Sequence, residues 1–303
     1  MSLKIIFMGT PKFAVPTLEA LHKSEHLLVS TYSQNPKKSN RGQKINKSEI
    51  QQFAESLKLE VRTPEKLDDK ELKYIKKINP DLVLVVAYGK IIPKQFLDIP
   101  KYGFINIHAS LLPKWRGAAP IQRSIMQGEE ETGITIMKIN EKLDSGPILK
   151  SFSLKILPVD TFGDLQNKLS ELAGNSIIPS INLIISGAKF NEQIHAEATN
   201  AEKIKKEEGK INWNDASKNI INKIRALNPS PGSFFEFEKI RYKIWRAELS
   251  LKTGKPGEVV DDKLTVATQD CAISIKEIQR EGKKKLSTKE FLIGNQIPAG
   301  SFL

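Results

Sequence analysis

Short, largely unbroken apolar runs recur along the first third of the chain, at 3–8, 27–32, 82–87 and 104–107. Helix-length stretches separate them, at 15–23, 49–57 and 69–77. Runs of this kind suit strands buried on both faces, and their alternation with helices predicts βαβ units carrying a parallel sheet. The first part of the chain therefore reads as α/β, a doubly wound, mainly parallel, Rossmann-like sheet.

The pattern changes further along. Helices are predicted at 118–126 and 162–185, and the stretch 187–209, rich in Lys, Glu and Ala with little apolar content, reads as a linker. Ile220, Ile221 and Ile224 have helical spacing within 215–227, and Pro229, Pro231 and Gly232 stop that helix. Five short alternating segments follow at 233–237, 241–248, 257–260, 264–267 and 272–278, with turns between them. Closely spaced short strands of this sort predict a small C-terminal β-barrel of the oligonucleotide-binding (OB) type. The expected division is a catalytic domain at 1–186, a linker at 187–209 and an OB-like domain at 210–303.

The net charge of +12 points to a polyanionic partner, although a lysine-rich composition also serves solubility. One cysteine, Cys271, excludes an internal disulfide and a cysteine-rich metal site, and its place in an alternating segment suits a buried thiol. Of the four histidines, His22 and His26 straddle a predicted helix end, so no metal is expected. No apolar run is long enough for a membrane span, and no signal-like block opens the chain. A cytoplasmic monomer without a membrane partner is the expectation.

Candidate chemistry gathers where strands end. Met8-Gly9-Thr10-Pro11, Ala87-Tyr88-Gly89 and Asn106-Ile107-His108 each follow an apolar run, and in open α/β sheets ligands sit beyond such carboxyl ends. The glycines also fit plain turns. Asn106 and His108, two apart on a strand, share a face. An amide donor beside an imidazole suits carbonyl chemistry, where a developing oxyanion needs a donor and a reacting amine needs proton transfer. Asp144, in Leu143-Asp144-Ser145-Gly146-Pro147, can orient the imidazole or a water. Taken singly, each of the three also fits a main-chain-satisfied core histidine or a turn. Hydride transfer is disfavoured, because the turn after the first strand carries Gly9 but not the further glycines of a dinucleotide site.

The stretch Asn106-x-His108-x-Ser110-Leu111-Leu112-Pro113-x-Trp115-Arg116-Gly117-Ala118-Ala119-Pro120 resembles the folate-dependent formyltransferases, as do Thr132-Gly133-Ile134-Thr135-Ile136-Met137 and Leu143-Asp144-Ser145-Gly146-Pro147. Phe7-Met8-Gly9-Thr10-Pro11 and Gln279-Arg280-Glu281-Gly282-Lys283 extend the likeness to both ends. The resemblance implies transfer of a formyl group from 10-formyltetrahydrofolate, as co-substrate, to an amine. In the branch acting on transfer RNA, that amine belongs to a charged initiator methionine. It further implies Asn106, His108 and Asp144 as catalytic residues, and Tyr88, Gly89, Ser110, Leu111, Leu112 and Pro113 as folate contacts.

The basic segment 36–47 also fits a solvated surface loop. In the transfer-RNA branch a loop here carries an Arg-Gly pair, which Arg41-Gly42 matches, so Arg41, Lys37, Lys38 and Lys44 are expected RNA contacts. Arg116 could meet a carboxylate or phosphate, whereas Gln122 and Arg123 fit a solvated helix face. Asn140-Glu141-Lys142 and Ser145 depart from the family's usual residues outside the proposed chemistry. Two rival readings are a formyltransferase for nucleotide-linked amino sugars and a non-catalytic folate- or RNA-binding protein.

Overall fold

The computed structural model describes residues 1–39 and 44–303. One compact unit comprises residues 1–117, 131–155 and 166–201. Its strands are β1 (Lys4–Gly9), β2 (Leu27–Tyr32), β3 (Lys37–Ser39), β4 (Lys44–Asn46), β5 (Val61–Arg62), β6 (Leu82–Val86), β7 (Phe104–His108), β8 (Arg116–Gly117), β9 (Glu131–Lys138), β10 (Ile148–Lys155) and β11 (Asn200–Ala201). Seven form one sheet in the order β10-β9-β7-β6-β1-β2-β5. The five from β7 to β5 are parallel, as the alternation predicts. β9 and β10, at the other edge, run antiparallel and lie outside that prediction. β3 pairs with β4, and β8 with β11, in two separate ladders.

Both faces of the central strands are buried, which explains their unbroken apolar sequence. On one face Ile6, Met8, Val83, Val85 and Phe104 pack with Ile75 and Phe96 from helices Asp69–Ile78 and Lys94–Leu97. The alternate residues Ile5, Phe7, Leu82 and Leu84 are equally buried. Local signals set the helix limits. The Asp68 carboxylate accepts from the Lys70 and Glu71 N–H groups, capping Asp69–Ile78, and Asn79 ends it in a left-handed conformation. In helix Phe162–Ile185, which keeps its predicted span, Gly174 lies so close to Pro16 that an added Cβ would sit 3.0 Å from it.

The chain turns from β1 to β2 and β5 on one side, then returns to place β6 and β7 on the other. That reversal makes the carboxyl ends of β1 and β6 a switch point of the kind where α/β sheets bind ligands. The Thr10 hydroxyl bridges these ends by donating to the Tyr88 carbonyl at 2.8 Å.

The other compact unit takes residues 118–130, 156–165 and 202–303. It carries β12 (Ser233–Phe237), β13 (Ile240–Ser250), β14 (Thr265–Ala267), β15 (Ala272–Arg280) and β16 (Leu286–Ser287), all antiparallel, in the order β12-β13-β15-β14 with β16 on β15. Register shifts near Arg246 bend β13, and the sheet forms an OB-like half-barrel around Phe235, Tyr242, Ile244, Ile273 and Ile275. Helix Ser217–Ala226 adds Ile220 and Ile224 to this core, and helix Thr288–Gly294 adds Phe291. Glu238 and Lys239 both have positive φ, the geometry of a tight hairpin turn. The segment 257–260, predicted as a strand, forms only isolated bridges from Glu258 and Val259, because its partners come singly from Val266 and Phe302.

Candidate active site

Phe104, Asn106 and His108 lie along one face of β7, and the apolar member fixes the direction of the other two. Phe104 is buried in the core beside Val83 and Val85, so the same stripe continues as Asn106 and His108 toward the carboxyl end. His108 is buried, and Asn106 is half-buried with no side-chain hydrogen bond to a described residue. Its carboxamide is available to a ligand.

His108 Nε2 lies 2.8 Å from the Trp115 carbonyl. A carbonyl only accepts, so Nε2 is the donor and carries a hydrogen. Nδ1 faces Asp144 Oδ2 at 3.6 Å, and the same carboxylate oxygen accepts from the Gly117 N–H at 2.9 Å. The sequence-predicted pair His108 and Asp144 is thus brought together, with Asn106 on the same strand face. Trp115 and Asp144 both have left-handed backbones, with φ of 62° and 46°. A non-glycine residue held there costs of order 1–3 kcal/mol and persists only where its surroundings enforce it.

The loop after β7 is stitched from within. Thr135 on β9 accepts from the Leu112 N–H at 3.0 Å and donates to the Ser110 carbonyl at 2.7 Å, and the Ser110 hydroxyl donates to the Lys114 carbonyl at 2.6 Å. Those groups are occupied, which leaves the half-buried side chains of Leu111 and Pro113 as the surface the loop offers. Gly133 lets Leu111 settle against β9, since a Cβ there would lie 2.6 Å from Leu111 Cδ2 and 2.1 Å from the Phe152 carbonyl. Tyr88 is a core residue whose hydroxyl is buried without a partner, and burial pushes its pKa up. Its contribution at the strand end is main chain. Gly89 is exposed with φ of 75°, and Gln34 Nε2 donates to its carbonyl and to that of Tyr88.

The composition-based linker contributes to this site. Asn191 bridges to Ile148, Gln193 donates to the Asp144 and Gly146 carbonyls, and Thr199 accepts from the Trp115 N–H before β11 pairs with β8. Arg116 points inward along the same seam, its Nη2 at 2.6 Å from Gln193 Oε1 and 3.0 Å from His195 Nδ1. Arg123 pairs with Glu208 and donates to the Glu202 carbonyl. The sequence reading missed Thr135, Gln193, Thr199 and the main-chain groups of Trp115 and Gly117. Of these, Thr135, Trp115 and Gly117 had a signal, inside the motifs that carry the family resemblance.

Arg41 lies outside the described residues. Lys37 and Lys38 fall on β3 and Lys44 on β4, where the backbone alone is described. A cavity of about 730 Å³ lies against the amino end of β7, lined by Lys94, Lys101, Lys138, Glu141 and Lys142 among others. None of Asn106, His108 and Asp144 lines it. Among the described residues no cluster of three or more His, Cys, Asp or Glu side chains could hold a metal, and no helix is long and apolar enough to cross a membrane.

Residues 3–181 match the family model described as "Formyl transferase", and 203–296 match "Formyl transferase, C-terminal domain". The chain is 52% identical over 305 residues to the methionyl-tRNA formyltransferase of Pelagibacter ubique (strain HTCC1062), covering 99% of this chain and 98% of that protein. It is 40% identical to that of Acidiphilium cryptum (strain JF-5), covering 99% and 100%. Among solved structures, the methionyl-tRNA formyltransferase from Clostridium thermocellum aligns with a TM-score of 0.59 at 22% identity, over 82% of this chain and 94% of that one. An N-formyltransferase from Helicobacter canadensis, solved with folinic acid and dTDP-3-aminofucose, aligns with a TM-score of 0.67 at 21% identity, over 94% and 100%.

Proposed function

The chain belongs to the formyl transferase family, and on that premise we propose that it transfers a formyl group from 10-formyltetrahydrofolate to the α-amino group of methionine charged on initiator transfer RNA, in translation initiation. The observation that carries this reading is 52% identity across 99% of the chain to a relative that bears that activity in its name. The enzyme is a one-carbon transferase, working as a monomer in the cytoplasm.

The folate co-substrate supplies the activated formyl group. Large apolar side chains stand ready for its flat ring: Leu143, beside Asp144, is 72% exposed, and Ile91, beyond Tyr88 and Gly89, is 90% exposed. Leu111 and Pro113 add to that surface, with Ser110, Leu112, Tyr88 and Gly89 contributing the backbone that shapes it. These residues fit an apolar-faced ligand with a polar edge.

When an amine adds to a formyl carbonyl, negative charge develops on the oxygen and the amine must shed a proton. Asn106 offers its free carboxamide N–H to that oxygen. His108, once its ring turns from the Trp115 carbonyl or shares that hydrogen, offers a second donor. Asp144 holds the imidazole at Nδ1 and relays the amine proton, directly or through water, to the donor nitrogen as the tetrahedral adduct collapses, so that the carbon–nitrogen bond to the folate breaks and tetrahydrofolate leaves. Arg41, Lys37, Lys38 and Lys44 would meet the phosphate backbone of the transfer RNA. We assign the transfer chemistry to residues 1–186 and RNA contact to 210–303, joined by 187–209.

The test is direct. Purified protein is supplied with the formyl donor and, in parallel, with charged initiator transfer RNA or a nucleotide-linked amino sugar. Formyl-methionine on the RNA is the expected product. Turnover of the sugar alone would replace this reading with the sugar-directed one, and absence of formyl release from either would leave a binding protein.

A further inference from the structure

Gln193 is 5% exposed, and both ends of its amide are committed. Nε2 donates to the Asp144 carbonyl at 2.9 Å and to the Gly146 carbonyl at 2.7 Å. Oε1 accepts from Arg116 Nε at 3.1 Å and Nη2 at 2.6 Å. Carbonyls at one end and a guanidinium at the other permit a single amide orientation, because the reverse would face acceptor to acceptor and donor to donor.

We propose that Gln193 is a positioning residue for Asp144, holding the carboxylate against His108 and Gly117 by fixing the peptide planes that follow Asp144 and Gly146. This deepens the formyl-transfer reading and rests on it. Asp144 is left-handed, and its carboxylate direction follows from that backbone. Downstream, Gly146 is locked, since a Cβ there would lie 1.8 Å from the Lys138 carbonyl. Gln193 grips the turn at both points. Its own place is set two residues earlier, where the Ile148 N–H donates to the Asn191 carbonyl at 2.7 Å and the Asn191 N–H returns the bond at 2.8 Å. Without the two amide donors, the Asp144 peptide is free to leave the left-handed region, carrying Oδ2 away from Gly117 N–H and from His108 Nδ1. A residue that merely filled the seam would not need an amide with all four hydrogen-bonding positions in use.

Gln193→Glu tests this, because it keeps length and the acceptor toward Arg116 while removing both donors. The expected result is a kcat lower by roughly 10- to 100-fold, the scale of a misplaced catalytic group, with KM for the folate donor and for charged transfer RNA each within about threefold. In an Asp144→Asn background the same change should cost less than about twofold, since the group it positions is already gone. Wild-type kcat in a folded Gln193→Glu protein, or losses that multiply in the double variant, would overturn the proposal. So would a rise in KM at constant kcat. If Gln193→Glu does not fold, Gln193→Asn carries the same measurements with the amide one methylene short. Wild-type protein that fails to formylate charged transfer RNA would overturn the functional reading itself, whereas active wild type with an unaffected variant overturns only the positioning role.

Discussion

β6 and the segment 191–201 both support the candidate site, and they do so by opposite means. β6 is five apolar residues buried on both faces, and it holds the carboxyl end of the sheet by packing. The segment 191–201 has only one buried apolar residue, Ala201, and holds the loops at 115–117 and 144–146 through hydrogen bonds that Gln193 donates, Thr199 accepts and β11 shares with β8. Burial of apolar surface is non-directional and stabilises in bulk. Hydrogen bonds add about 0.5–1.5 kcal/mol each but fix direction. One region therefore supplies stability, and the other supplies aim.

Substitutions can break that contrast. Leu84→Ala, in the middle of β6, should cost about 2–5 kcal/mol of stability by leaving a cavity, while kcat per folded molecule stays near wild type. Denaturant unfolding beside steady-state kinetics checks both halves. Asn106→Ala and His108→Ala should do the reverse, lowering kcat by roughly a hundred- to a thousandfold with folate binding little changed. Equal kcat in either variant would remove that residue from the chemistry.

The sheet region contains a polar tether of its own, and it sharpens the comparison. Burial pushes the Glu71 carboxyl up, but hydrogen bonds from Arg62 and Tyr32 outweigh it and leave the group below the usual glutamate range. A lowered folded pKa adds stability above the unfolded value near about 4.3, and that contribution disappears as pH falls through the lower folded value. Glu71→Gln should lose roughly 1–3 kcal/mol at neutral pH and show a flatter decline of stability in acid. The smallest effect belongs to Thr199→Val, which removes the acceptor for the Trp115 N–H. About 1 kcal/mol and a few-fold loss of kcat are expected, the second because Trp115 presents its carbonyl to His108.

Much of this was legible in the sequence because it rests on side-chain burial. The parallel strands, the helix at 162–185, the hairpin at Glu238-Lys239 and the OB-like second unit follow from apolar period and turn chemistry. The association of His108 with Asp144 was legible through the motif. What escaped is held by main chain or by polar side chains. β10 carries Lys150, Ser151 and Ser153 on an exposed edge, so its pattern is faint. Gln193 and Thr199 sit in a stretch whose composition matches solvated chain, because a hydrogen bond to a carbonyl 49 residues away leaves no periodic trace. Arg116 reads as an anion site from its charge, yet its Nε and Nη2 are turned to Gln193 and His195.

The left-handed backbone at position 144 narrows the alphabet available to that site. Among side chains with a carboxylate, only aspartate is short enough to be at home there, so lengthening to glutamate would trade a mild electrostatic change for a conformational one. Asparagine and glycine would keep that backbone but lose the carboxylate, which leaves aspartate as the residue that meets both demands.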